Sequence, residues 1–161
     1  MEILKYPHPS LFEKCVEVTV FGPELNVLLD GMADAMKAKA GIGLAANQVG
    51  LHYRMFVMMD KGYKLVKLVN PVIVDHSWVS ANLKEGCLSA PGEFLVVDER
   101  KQWVQVKFQD ETGKEHKRVF EGIYSVCVQH EIDHLDGKSH LQSPSLSRDT
   151  RRMLAKKWGL K

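Results

Sequence analysis

Two histidines lie four residues apart in the segment 130–134, which reads HEIDH. On an α-helix these positions are one turn apart on the same face, so His130 and His134 could bind one ion about 2.0–2.1 Å from each imidazole nitrogen. Glu131 points away from that face and suits proton transfer better than ligation. The alternative is a pair of core histidines without an ion, but buried imidazoles without polar partners are costly. The pattern therefore predicts a metal site on a helix.

A third protein ligand is needed, and one candidate follows the helix directly. The segment 134–140 extends the first pattern to a longer zinc signature, with Gly137 turning the chain and His140 as ligand, and it resembles the metzincin endopeptidases. Those enzymes also need a methionine turn downstream. The only later methionine, Met153, lies in a basic, helix-like segment, which weakens this interpretation.

The other candidate is Cys87, in the segment 85–89, which reads EGCLS. A thiol between Gly86 and Ser89 can lie on a loop with its backbone close to an ion, and thiolate is a softer donor than imidazole. A small buried core residue is the ordinary alternative for a free cysteine. If Cys87 and His140 both joined the two helical histidines, the closed site would be typical of structural zinc.

Three helices are predicted around these residues. After Pro23, apolar residues recur at helical spacing over 24–40, and Gly41 ends the pattern. The segment 122–136 carries both histidines and is apolar almost all round, which indicates a buried central helix. The basic segment 145–158 is a third, C-terminal helix.

Between the first two helices, the chain has the pattern of strands. Short β-branched or apolar runs occur at 55–59, 64–70 and 72–75, with a proline between the last two. Alternating residues over 104–108, a turn and the run 114–120 suggest an antiparallel hairpin. The order helix, strands, helix, helix predicts an α+β fold, with small mixed or antiparallel sheets packed around the central buried helix that carries the metal motif.

Length and composition bound the class of protein. A chain of 161 residues can form one core and no linker divides it, so we expect one domain over 1–161, with a basic C-terminal helix within 145–161. No apolar run approaches roughly 18 residues and the N-terminus lacks the layout of a signal peptide, so we expect a cytoplasmic protein with no membrane partner. An odd set of three cysteines argues against a disulfide framework. The net charge of +2 is too small to indicate DNA binding.

Three segments together resemble the signature motifs of the peptide deformylase family, in the same order and at fitting separations. They are 41–48 (GIGLAANQ), 85–89 (EGCLS) and 129–137 (QHEIDHLDG). The opening segment 3–7 and the pair 70–71 also resemble that family, so the similarity covers nearly the whole chain.

The resemblance implies hydrolysis of the N-terminal formyl group of nascent polypeptides that begin with formyl-methionine, with release of formate. Cys87, His130 and His134 would be the metal ligands. Fe(II) would be the physiological ion, and zinc, nickel or cobalt could replace it. Three protein ligands leave one position open for water, as hydrolysis requires.

The resemblance also implies roles for residues around the ion. Glu131 would carry protons, while the side-chain amide of Gln48 and the backbone N–H of Leu88 would donate to an oxyanion. Gly43 would let the substrate's main chain approach closely, although a turn also explains a glycine there. The methionine side chain needs an apolar pocket, and five residues are candidates for its wall. Core packing explains each of them equally well. These candidates are Ile42, Leu83, Ile123, Val126 and Cys127.

Two positions depart from the family pattern. Many bacterial members carry an arginine shortly after the cysteine motif that contacts the substrate backbone, whereas no arginine lies between that motif and Arg100 here. Lys84 stands where an acid is common. A carboxylate on a buried helix needs a cation or donors, so we expect Asp133 to pair with Arg100 unless Asp133 lies at the surface.

The C-terminal segment has two interpretations. The resemblance implies docking on the ribosome, with basic side chains against RNA phosphates. A solvated helix face explains the same charges. The residues concerned are Arg148, Arg151, Arg152, Lys156, Lys157 and Lys161.

Substitution of the two candidate third ligands separates these hypotheses. If the chain is a deformylase, Cys87→Ala abolishes metal retention and formate release from formyl-methionyl peptides, whereas His140→Ala leaves both nearly intact, because only the thiolate completes the site. Metal analysis and a formate assay, both under anaerobic conditions, measure the two outcomes. The opposite result would support a metzincin or a structural zinc site.

Overall fold

The computed structural model describes residues 1–161. Its helices are α1 (Pro23–Ala38), α2 (Ile123–Leu135) and α3 (Arg148–Trp158). Its strands are β1 (Gly43–Ala45), β2 (Met55–Met59), β3 (Leu65–His76), β4 (Lys84–Cys87), β5 (Ala90–Val96), β6 (Trp103–Gln109) and β7 (Glu115–Glu121). Short 3-10 helices cover Pro9–Phe12, Ala46–Val49 and His140–Gln142. None of the helices has both the length and the apolar character needed to cross a membrane.

Two antiparallel sheets make up the β part of the fold. Five strands pair in the order β1-β2-β3-β6-β7, and β4 pairs with β5 in a separate sheet. Alternate residues of β2 face opposite sides: Val57 packs in the core that contains α1, and Phe56 packs in the core that contains α2. The larger sheet therefore lies between α1 and α2. Since α2 is buried along most of its length, the expected α+β fold around a central helix is confirmed.

The helices lie where the apolar spacing predicts them, to within a few residues. α1 begins at Pro23, where a missing backbone N–H costs nothing. α3 begins later than predicted because Ser147 is its N-cap, with the hydroxyl accepting a hydrogen bond from the Thr150 N–H at 3.1 Å. Local signals therefore fix the helix ends.

The prediction of two strands on either side of Pro71 is wrong, because β3 runs through this residue. The register of β3 against β6 shifts between Val69 and Val72, so the proline lies in a bulge where no ladder donor is needed. Asn70 has a φ of 51°, and its side-chain amide bonds the backbone N–H and C=O of Val18, each at 2.8 Å. A distant segment thus holds the bulge in place.

Strands β1, β4 and β5 are absent from the sequence prediction. β1 has only three residues, and β5 contains Pro91 and Gly92, which are turn signals in sequence. β4 gains its ladder from pairing with β5, in which Glu85 lies opposite Leu95. This small sheet positions the first three residues of the cysteine motif, Glu85 to Cys87.

Candidate metal centre

Cys87, His130 and His134 converge from two elements. Cys87 is the last residue of β4, not part of a loop as predicted, and the histidines lie one turn apart on α2. The Cys87 Sγ lies 3.2 Å from the His134 Nε2, which lies 3.1 Å from the His130 Nε2. All three residues are buried, and their potential ligand atoms lie within 4.8 Å of one another.

These separations fit a single ion. Donor atoms bound to one tetrahedral ion would lie roughly 3.3–3.6 Å apart, close to the observed distances. Burial holds the pKa of His134 well below its usual range, so this imidazole is neutral and able to ligate. A thiolate with two imidazoles suits a transition metal rather than calcium or magnesium. The residues present therefore fit a divalent transition-metal ion.

His140 is not part of this cluster. Its ring centroid lies 5.0 Å from that of His130, and neither of its nitrogens has a hydrogen-bond partner although the residue is buried. His140 begins the 3-10 helix that follows Gly137, whose φ of 71° turns the chain beyond the end of α2. The third member of the cluster is Cys87, which lies on β4.

Glu85 opens the cysteine motif, but no role for it is predicted from the sequence. Its carboxylate accepts hydrogen bonds from the Nε and Nη2 of Arg100, both at 2.7 Å, and lies 2.8 Å from the His130 Nδ1. Burial opposes ionisation, but these contacts hold the pKa of Glu85 at about 2, so the carboxylate is charged. The signal in the sequence is strand alternation, since residues two apart, such as Glu85 and Cys87, share a face. A carboxylate bonded to a ligating imidazole orients the ring and raises its basicity.

The expected pair of Asp133 and Arg100 is present, with 2.6 Å between Oδ2 and Nη1. Arg100 is buried, so its charge requires such compensation. Because Asp133 lies on α2 and Glu85 on β4, one guanidinium joins the two elements that carry the candidate metal ligands.

Glu131 follows His130 on α2 and is buried. Its Oε2 has no hydrogen-bond partner, and burial raises the pKa of Glu131 to about 7. A Cβ at Gly43 would lie 2.5 Å from the Glu131 Oε1 and 2.6 Å from the Cys127 Sγ, so only glycine lets β1 approach this carboxylate. A carboxyl group that titrates near neutrality is suited to acid–base catalysis.

Gln48 faces the same cluster. Its Oε1 accepts a hydrogen bond from the Ala45 N–H at 2.8 Å, which leaves Nε2 directed at the Cys87 Sγ, 3.6 Å away, and the Ser89 Oγ, 3.1 Å away. The side chain is fixed by burial as well, since Gln48 is only 1% exposed. Leu88, the residue after Cys87, borders the same space.

A cavity of about 450 Å³ reaches this cluster from the surface, and Cys87, His130 and Glu131 are among its lining residues. Leu83 is not among them, which corrects one predicted pocket residue, because the wall on this side begins at Lys84, the first residue of β4. The other predicted pocket residues do line the cavity: Ile42, Gly43, Ile123, Val126 and Cys127.

Known proteins share this sequence and fold. The sequence model of the family described as "Polypeptide deformylase" matches residues 1–149. A peptide deformylase-like protein of Agrobacterium fabrum is 41% identical over 156 residues, covering 97% of this chain and 93% of the relative. The peptide deformylase of Fusobacterium nucleatum is 40% identical over 158 residues, covering 97% and 89%. The crystal structure of a peptide deformylase from Legionella pneumophila has a TM-score of 0.87 at 35% identity, covering 98% of this chain and 92% of that one.

Fold and site together define a metal-dependent hydrolase. Within that class, the chain belongs to the polypeptide deformylase family, whose members remove formyl groups from nascent peptides. The metzincin alternative with His140 as third ligand is therefore wrong: the candidate metal cluster contains Cys87 of β4 and not His140, and the relatives of the chain are deformylases.

Glu85→Gln is expected to lower metal affinity about 10- to 100-fold, because a neutral amide no longer polarises the imidazole of His130. Asp133→Asn is the matched control, since it also takes a carboxylate from Arg100 but leaves the contact between Glu85 and His130 intact. Competition with a chelator, followed by metal content, measures both affinities. Equal metal retention by Glu85→Gln and the unchanged protein would contradict this role.

Proposed function

We propose that this chain hydrolyses the N-terminal formyl amide of formyl-methionyl peptides and releases formate. The observation that carries the proposal is the cluster of Cys87, His130 and His134, of which Cys87 and His130 line a cavity that also reaches the buried carboxylate of Glu131. Membership of the deformylase family supports the same reaction.

Cys87, His130 and His134 are the proposed metal ligands. When bound, a divalent ion supplies a Lewis acid that lowers the pKa of a water molecule and polarises the formyl carbonyl. We propose Fe(II) as the physiological ion, with zinc, nickel or cobalt as substitutes, because soft thiolate and imidazole donors suit these metals. The contact between Glu85 and the His130 Nδ1 supports the proposal of His130 as a ligand, since it leaves the His130 Nε2 free to bind the ion.

Glu131 is the proposed proton carrier. Its carboxylate takes a proton from the attacking water as the formyl carbon becomes tetrahedral, and it returns that proton to the leaving α-amine when the C–N bond breaks. The unpartnered Oε2 supports this role, because no other group of the protein occupies that oxygen.

Gln48 and Leu88 are the proposed donors to the oxyanion. The hydrogen bond from Ala45 fixes the amide of Gln48, so its Nε2 can donate without reorientation. The backbone N–H of Leu88 is the second donor, next to the proposed ligand Cys87. The loss of one preorganised donor typically costs about 2.7–4 kcal/mol of transition-state stabilisation.

The cavity wall supports binding of a methionine side chain. Ile42, Ile123 and Val126 offer an apolar surface, and the Cys127 thiol lies among them. Burial raises the pKa of Cys127 well above its usual value, so the thiol is neutral and adds apolar surface. Gly43 also lines the cavity, and its lack of a side chain would let the peptide backbone of the substrate approach β1 closely.

Glu131→Gln is expected to reduce kcat about 10²- to 10⁴-fold with little change in KM or metal content, because the amide keeps the shape of the carboxylate but cannot carry the proton. Formate release from a formyl-methionyl peptide and metal analysis of the same sample measure the effect. Glu121→Gln, at an exposed position on β7, is the control and should retain full activity. A Glu131→Gln enzyme with normal kcat would refute this role.

We also infer that the 161 residues act as one catalytic domain in the cytoplasm, where nascent formylated chains are made. The site draws on β1, β4 and α2, which supports a single unit. A ligating thiolate must stay reduced, and all three cysteines are free, which is consistent with a reducing compartment.

Docking on the ribosome is proposed for α3. The helix packs on the body through the buried Leu154, while its charged residues point outwards. Arg148, Arg151 and Arg152 are exposed and form no ion pair, which makes them available to RNA phosphates.

The triple variant Arg148→Gln, Arg151→Gln, Arg152→Gln is expected to weaken co-sedimentation with ribosomes and to reduce its salt dependence, because phosphate contacts are lost. Hydrolysis of short peptides should not change. The matched control removes three exposed lysines elsewhere: Lys61→Gln, Lys114→Gln and Lys117→Gln. Equal co-sedimentation of the two triple variants would favour a merely solvated helix face.

A further inference from the structure

The mouth of the cavity carries two lysines that no ion pair engages. Lys39 follows the last residue of α1, and Lys84 is the first residue of β4. Both are exposed and line the cavity. Neither takes part in any salt bridge of the protein. Two ammonium groups from different elements are therefore free to meet a ligand.

The acidic residues of the cavity wall do not neutralise these lysines. Glu85 is committed to Arg100 and His130. Glu93 accepts hydrogen bonds from the side chains of two residues of α3. Glu131 is buried at the inner end of the cavity. The mouth thus presents uncompensated positive charge, and a field of one sign at a cleft concentrates ligands of the other sign.

We propose that Lys39 and Lys84 make this chain select formyl-methionyl peptides with an acidic side chain at the second or third residue. The inference rests on the proposed function, which puts the formyl group at the metal centre and methionine against the apolar wall. An extended substrate then continues towards the mouth at about 3.3 Å per residue. The flexible side chains of both lysines can reach an acidic side chain at either the second or the third residue.

The size of the preference follows from the exposure of both lysines to solvent. Ion pairs between exposed groups contribute about 0.2–1 kcal/mol, so kcat/KM should favour an acidic peptide about 1.4- to fivefold over its neutral counterpart. Salt screens such pairs, so the preference should fade as ionic strength rises. A preference based on shape would not respond to salt.

The test uses two series of peptide amides, formyl-Met-Xaa-Ser and formyl-Met-Ala-Xaa, in which Xaa is Glu, Gln or Lys. The metal-loaded full chain is assayed for formate release at about 20 mM and about 500 mM salt, where screening differs most. We expect kcat/KM in the order Glu, Gln, Lys in at least one series at low salt, with a smaller spread at high salt.

Variants assign the preference to the two lysines. Lys39→Gln combined with Lys84→Gln should bring the Glu-to-Gln ratio close to one, and Lys39→Glu combined with Lys84→Glu should favour the Lys peptide. Lys117→Gln changes the net charge at an exposed position outside the cavity and should keep the preference of the unchanged chain.

Two results would overturn the inference alone. One is equal kcat/KM for Glu and Gln peptides in both series, a measurement that needs no variant. The other is an undiminished ratio in the double Gln variant. Failure to release formate from any peptide, including the Gln peptides, would instead refute the proposed function.

Discussion

The candidate metal centre depends on one buried ionic contact, in which the carboxylate of Glu85 is shared by Arg100 and His130. A charge in the interior is tolerated only when its partners satisfy it, so β4 cannot shift relative to α2 without exposing an unpaired ion to a low dielectric. Cys87 lies two residues along the same strand. The contact therefore fixes the distance between the thiol and the two imidazoles.

Features with a local cause could be predicted from the sequence. The histidines of α2 are one helical turn apart, and that spacing places them on one face, where their Nε2 atoms lie 3.1 Å apart. The apolar spacing likewise predicts α1, and β2 lies at the predicted residues 55–59. In each case the information lies within a few residues of the element itself.

Features with a distant cause could not be predicted in this way. Glu85 and His130 are 45 residues apart, and no periodicity relates a strand to a helix at that separation. The run of β3 through Pro71 depends on Val18 holding the side chain of Asn70. The family motifs indicate Cys87, Gln48 and Leu88 as candidate site residues where local patterns do not. They do not indicate that Lys84 rather than Leu83 lines the cavity.

The contact of α3 with Glu93 links the C-terminal helix to the wall of the cavity. The Trp158 Nε1 donates to the Glu93 Oε1 at 3.1 Å, and the Lys157 ammonium binds the same oxygen. A chain shortened before these residues would release a carboxylate at the rim of the cavity and offset part of its positive potential. Under the two proposals above, removing the tail would therefore change substrate preference together with ribosome attachment, whereas substitution of the three arginines would change the attachment alone.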